Sequence, residues 1–369
     1  MKKSIIIPLS LALIFSMPIV SNAYTIKDLL STKVSILNGT QDNNANVLDI
    51  IQIKHDILNN SQNVPINNTN KVYVSNVDEL KNALSNVVAG DEIILKDGTY
   101  QDDTGWTPFA SNGEGTEENP IIIRSENPES MAEIMGTNPE NDIALYITGD
   151  YWIIQDLKVS TAQKGIVLDN SNHSIISNCE VYNIGSEGVH FRDNSSYCTI
   201  KDSYIHDTGV ISKGYGEGVY VGSYHGEDKY AHSCDYNTIQ NCTFENISAE
   251  HVDIKELTTG TIVENCTMYG SGMSGDNYAD SFIDIQGNDC IIRNNTCYQE
   301  ENPIIVDAFQ VHILVDGWGF NNQVYDNTCY FDNETSYILR GWDCGCTAQN
   351  NVRYPDGNTY ADDSITVLD

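Results

Sequence analysis

The chain has 369 residues, with 52 acidic against 19 basic side chains and a formal charge of −33. That balance excludes nucleic acid as a partner, because no basic surface is available to neutralise phosphates. The ten cysteines include no CxxC pair, Cys344-Gly-Cys346 being too tight, which excludes the common zinc patterns.

In chain order, residues 1–23 read as an export signal. Lys2 and Lys3 precede an almost unbroken apolar run from Ile5 to Val20, and Ser21-Asn22-Ala23 is a small-residue cleavage site. The expectation is a secreted, extracellular protein with no membrane span, since no later stretch reaches the length a span requires. Residues 24–70 are an Asn-rich linker with a short helix over 47–58. That helix is similar to the helical half of a dockerin repeat, so anchoring is the alternative to a plain linker.

From Lys71 onward the pattern changes. Val72 to Val74 is a strand, Val77 to Val87 an amphipathic helix, and Asp91 to Tyr100 a strand ending in a glycine turn. The helix serves as a cap, because the open end of a solenoid would expose core and unpaired strand edge. After Tyr151 the chain repeats itself. Asp156, Asn178, Asp202, Asn241, Asn265, Asn294 and Asp326 form one column in steps of 22, 24, 39, 24, 29 and 32 residues. Short coils of three strands and three turns, some carrying inserted loops, predict an all-β fold over 71–369: a right-handed parallel β-helix with an N-terminal helical cap. The recurring Asn or Asp suits a left-handed turn position. Cys179, Cys242 and Cys266 then point inward as small fillers rather than disulfide partners. Cys198, Cys234, Cys290, Cys344 and Cys346 are left as possible loop cross-links.

A second strand recurs in each coil, and its alternation puts Val167, His190, Tyr220, Asp253, Asp284 and His312 in one outward row. Two residues further on lie Asp169, Arg192, Gly222, Lys255, Gln286 and Leu314, and just before the strands lie Lys164, Glu187, Glu217 and Glu250. Insertions at 209–216, 223–236, 270–280 and 299–308 would wall a groove on this side. A merely solvated acidic face is the competing reading.

Carboxylates stacked at strand spacing repel unless a cation bridges them, and hard oxygen ligands suit Ca²⁺. Glu217, Glu250, Asp253 and Asp284 are the metal candidates. Lys255 stands among them; with those acids neutralised it can act as a general base, as β-elimination from a uronate requires. His190, Arg192 and His312 are candidates for the catalytic acid. Tyr220, Glu187 and Trp318 are candidates for binding substrate, and Tyr224 and Trp342 offer further rings for stacking on sugars.

On these residues the sequence resembles the parallel β-helix polysaccharide lyases, particularly the chondroitinase B and alginate lyase group, with pectate lyases sharing the fold. The likeness runs over roughly residues 71–350 and rests on the opening Val77 to Leu84, on Gly90 to Tyr100, and on Glu250-His-Val-Asp-Ile-Lys255. It implies that Glu250 binds Ca²⁺ and that Lys255 is the Brønsted base. Two positions depart from the family pattern: Ser248 stands where a second calcium glutamate is usual, and the acidic stretch Asp276 to Asp284 where a catalytic arginine is usual. The function expected is a calcium-dependent polysaccharide lyase acting as a monomer on an acidic polysaccharide. The alternatives are a glycoside hydrolase using Asp253, Asp284 or Glu250, and a non-catalytic carbohydrate-binding or adhesin module.

Overall fold

A computed structural model describes residues 70–369 apart from 343, 358 and 369. The expected export signal and the Asn-rich linker with its short helix lie outside the described residues. The chain divides into residues 1–65 and 66–369, and the described residues all belong to the second unit.

Among the described residues every strand pairing is parallel, and the strands fall into three long sheets of twelve, ten and nine strands. Successive strands of one sheet come from successive coils, which is the solenoid expected from the repeats. The cause is visible in single columns. Ile154, Ile176, Ile200, Ile239, Val263, Ile292 and Val324 are register partners on the first sheet, and all are fully buried. No coil can bury its own apolar face, so each depends on its two neighbours.

The column of Asn and Asp does what its chemistry suggested. Asp156, Asn178, Asp202, Asn241, Asn265, Asn294 and Asp326 all have φ between 49° and 57°. Asn178 donates from Nδ2 to Asp156 Oδ1 at 2.7 Å and Asn241 to Asp202 Oδ1 at 3.0 Å, so the side chains also tie one coil to the next. The ten cysteines are unpaired and buried, which removes the cross-links left open for the loop cysteines. The thiols of Cys179, Cys198, Cys242, Cys266, Cys290 and Cys346 face backbone carbonyls, as Cys198 does toward Ser171 O at 2.9 Å.

The predicted cap forms as a helix over Val77–Asn86. Asn76 caps it by accepting from Glu79 N at 3.0 Å, while Glu79 accepts in turn from Ser75 N at 2.8 Å, one residue before the position a capping box would use. Leu80, Ala83 and Leu84 bury against the first turn of the solenoid. The predicted strand over 91–100 is two strands, Asp91–Leu95 and Thr99–Gln101, with Gly98 between them at φ 145°. Among the described residues no helix is long and apolar enough to cross a membrane.

Candidate active site

The nine-stranded sheet carries the site on its outer face. Val189/Phe191, Val219/Val221, Val252/Ile254 and Ile283/Ile285 are buried in the core, so the residue between each pair must face outward. The outward row is Val167, His190, Tyr220, Asp253, Asp284, Gln310 and Arg340. This corrects the expectation for His312: Gln310 is the partner of Asp284, and His312 lies two residues further along the chain. A slip of two leaves Phe309 and Val311 inward and both polar residues outward, so hydrophobic alternation does not reveal it.

Glycines set the acids that precede each strand. A Cβ on Gly188 would stand 2.8 Å from Gly218 O, and one on Gly218 would stand 2.6 Å from His251 O. Only glycine lets the coils close here. The ladder then runs from Gly188 N to Glu217 O (2.8 Å) and from Gly218 N to Glu250 O (3.1 Å), which stacks the two glutamates.

Glu217, Glu250 and Asp253 converge, with one oxygen of each within 4.8 Å of the others, and all three are buried. Glu217 Oε2 and Asp253 Oδ1 have no hydrogen-bond partner. Burial, and after it the repulsion of neighbouring acids, raises Glu217 and Glu250 well above the usual carboxylate range. Asp253 is pushed up to about 6 by burial and by Asp284, against the pull of Lys255. Buried carboxylates with unmatched oxygens, too crowded to ionise together, fit a hard divalent cation. Asp284 stands outside this trio and accepts from Ser281 Oγ at 3.0 Å.

Lys255 Nζ lies 3.2 Å from Asp253 Oδ2 and 5.5 Å from the centre of the Tyr220 ring. Burial pulls its pKa down, but Asp253, Glu256 and Asp284 outweigh that and hold the ammonium above its ordinary value. Burial, followed by Asp253 and Glu217, keeps the Tyr220 phenol protonated.

The three candidates for the acid take separate positions. His190 is buried and donates from Nε2 to Gly222 O at 2.8 Å. Burial, then Lys164 and Arg192, depress its pKa, so its 3.6 Å approach to Glu187 is not an ion pair. Arg192 grips Asp169 through Nε at 2.6 Å and Nη2 at 2.7 Å, and its guanidinium lies 4.0 Å over the Tyr230 ring. His312 stacks on Trp342 with centroids 4.4 Å apart, and its Nε2 is 3.6 Å from Asp284. Burial opposes its protonation and Asp284 overcomes this, raising the pKa. Glu187 is held by Lys164.

These groups line a cleft of about 960 Å³ that also takes in Tyr215, Tyr224, Tyr278 and Arg340. Three of the expected insertions supply its walls. Asn277 of one donates to Gly214 O of another at 3.1 Å, while residues 299–308 line none of it. Trp318 is not among the lining residues; Trp342, two residues beyond Arg340, is. Sequence reading missed Arg340, although one more step of the row, Ile338-Leu339-Arg340, carries it. It also missed Glu256, which is fully buried beside Lys255.

Among curated proteins no relative matches the chain. Among solved structures, an alginate lyase from Paenibacillus sp. str. FPU-7 is 44% identical, with a TM-score of 0.77 over 80% of this chain and 99% of that one. The pectate lyase Pel9A is 16% identical with a TM-score of 0.55, over 82% of this chain and 80% of that one. ORF18 of Geobacillus virus E2 is 15% identical with a TM-score of 0.55, over 87% and 62%. The last two share the fold alone. The resemblance to the β-helix polysaccharide lyases is thus borne out. The family model described as the Pel9A-like right-handed β-helix region matches residues 66–351, and the chain belongs to that family.

Proposed function

We propose that the protein is an exported, calcium-dependent polysaccharide lyase that breaks a uronate-containing polysaccharide by β-elimination. The observation that carries this is the juxtaposition of Lys255, 3.2 Å from Asp253, with the buried trio of Glu217, Glu250 and Asp253 on the floor of the cleft. The 44% identity to an alginate lyase supports it and makes alginate the first polymer to try. The run from Lys2 to Ala23 supports export.

Glu217, Glu250 and Asp253 would hold the cation; when bound, Ca²⁺ supplies positive charge that acidifies the proton on C5 of the uronate. With its carboxylate neighbours so engaged, Lys255 takes that proton. The electron pair forms the C4–C5 double bond and the C4–O bond breaks. Tyr220, protonated and beside Lys255, returns a proton to the leaving oxygen.

The test is absorbance of the new double bond when the protein meets a panel of polyuronates with calcium or with chelator. A calcium-dependent rise on one polymer upholds the reading and names the substrate. New reducing ends without absorbance would point to a hydrolase, and retardation without cleavage to a binding module.

A further inference from the structure

The outward row does not end at the acidic centre. Asp253, Asp284, Gln310 and Arg340 are successive register partners, so Arg340 lies three coils beyond Asp253. At a strand spacing of ~4.8 Å this is a distance of about 14 Å. Each coil advances close to the rise of one 4-linked pyranose, so a polymer lying along the row would put its third sugar over Arg340.

The groups gathered there suit such a sugar. The Trp342 ring is 42% exposed and is backed on one face by His312 at 4.4 Å, the two rings nearly parallel at 11°. The Arg340 guanidinium is 5.2 Å from the Trp342 ring and reaches Asp307 through Nη1 at 3.3 Å. Asp307 is fully buried and also accepts from Gln310 Nε2 at 2.7 Å, so the arginine is anchored from behind while its side chain, one-third exposed, lines the cleft. The strand that carries Arg340, Tyr337–Gly341, is the last strand of its sheet, and its outer edge is lined by the segment 359–362, bridged between Leu339 and Ala361. The far end of the cleft differs. There Arg192 is closed in by Asp169 and Tyr230, and Lys164 by Glu187.

We propose that Arg340, Trp342 and His312 form a distal subsite for a uronate residue of the polymer, about three sugars from the bond that breaks. The indole packs on the pyranose face and the guanidinium pairs with the carboxylate. This rests on the lyase reading of the same cleft and adds to it a requirement for chain length.

The test compares Trp342→Ala and Arg340→Gln with the unaltered protein on a polyuronate, on its hexasaccharide and on its trisaccharide, following the double bond. The KM for polymer and hexasaccharide should rise at least tenfold more than that for trisaccharide. Equal losses on both lengths, or no rise at all, overturn the subsite. Thermal melting guards against misfolding, and Trp342→Ala leaves the Asp307 pairing intact. Should the unaltered protein form no double bond on any polyuronate, the lyase reading fails, and electrophoresis through polyuronate gels judges the subsite alone. Retardation that Trp342→Ala relieves upholds it; retardation unchanged by the substitution, or none, sinks it.

Discussion

His225 presents both its backbone N–H, at 2.7 Å, and its ring Nδ1, at 2.6 Å, to one oxygen of Glu256. Glu256 is fully buried next to Lys255 in sequence, and its other oxygen has no partner. His225 belongs to the 223–236 insertion, whose Tyr224, Glu227, Lys229 and Tyr230 wall the cleft. The carboxylate therefore joins the cleft wall to the segment that carries Lys255. Glu256→Ala should cost about 1.5–3 kcal/mol, the range for hydrogen bonds to a charged group. It should also open residues 223–236 to protease, as denaturant unfolding and limited proteolysis would report.

Lys255→Ala should lower kcat by about 10²–10⁴-fold, the usual contribution of a positioned acid or base. The KM for polymer should move little, because the contacts along the row stay in place. Steady-state kinetics on the cleaved polymer separate the two. A variant that keeps most of its kcat would transfer the base role to another group.

Calcium should raise the melting temperature in a concentration-dependent way, by about 2.7 kcal/mol in stability at a hundredfold excess over Kd. Glu217→Gln should abolish most of that shift. In chelator the same variant should be at least as stable as the parent, because a neutral amide of the same shape replaces a buried acid whose charged form its neighbours oppose. Thermal melts with calcium and with chelator check both halves.

His173 is stacked between Tyr151, at 4.7 Å, and Tyr197, at 4.9 Å, well away from the cleft lining. Burial depresses its pKa, with Asp150 opposing weakly. The stability it contributes is full above the unfolded imidazole value of about 6.5 and is lost as pH falls from there toward the lower folded value. His173→Phe keeps the stack and removes the titration. Its melting temperature should drop less between about pH 8 and about pH 5 than that of the parent.

Much of the architecture was legible because a solenoid writes its period into the chain. The Asn and Asp column marks left-handed turns that few other residues tolerate. The alternation at Val189, Phe191, Val219 and Val221 also separates core from surface without knowledge of the fold. What alternation leaves open is register. Between Gln286 and Asp307 the inserted loop decides which outward residue meets Asp284, and Gln310 and His312 satisfy the pattern equally. Arg340 was lost for the same reason, since the row was not carried through another insertion. Trp318 was chosen for its ring alone, and a ring says nothing of which turn carries it. Of the four acids picked out, Glu217, Glu250 and Asp253 do come together, because Glu217 and Glu250 sit at one fixed offset before their strands, while Asp284 stands apart.

The unpaired thiols give the molecule a built-in record of its own opening. Burial pushes Cys179, Cys234 and Cys290 up to about 12, so in the closed solenoid they are almost wholly protonated and sealed from reagents. A thiol-alkylating agent therefore marks a cysteine only when its coil has parted from a neighbour. With cysteines spread from Cys179 to Cys346, the order in which they are marked maps where the stack unzips first. Because no cross-link joins the coils, reductant is not needed to free the thiols before they are marked.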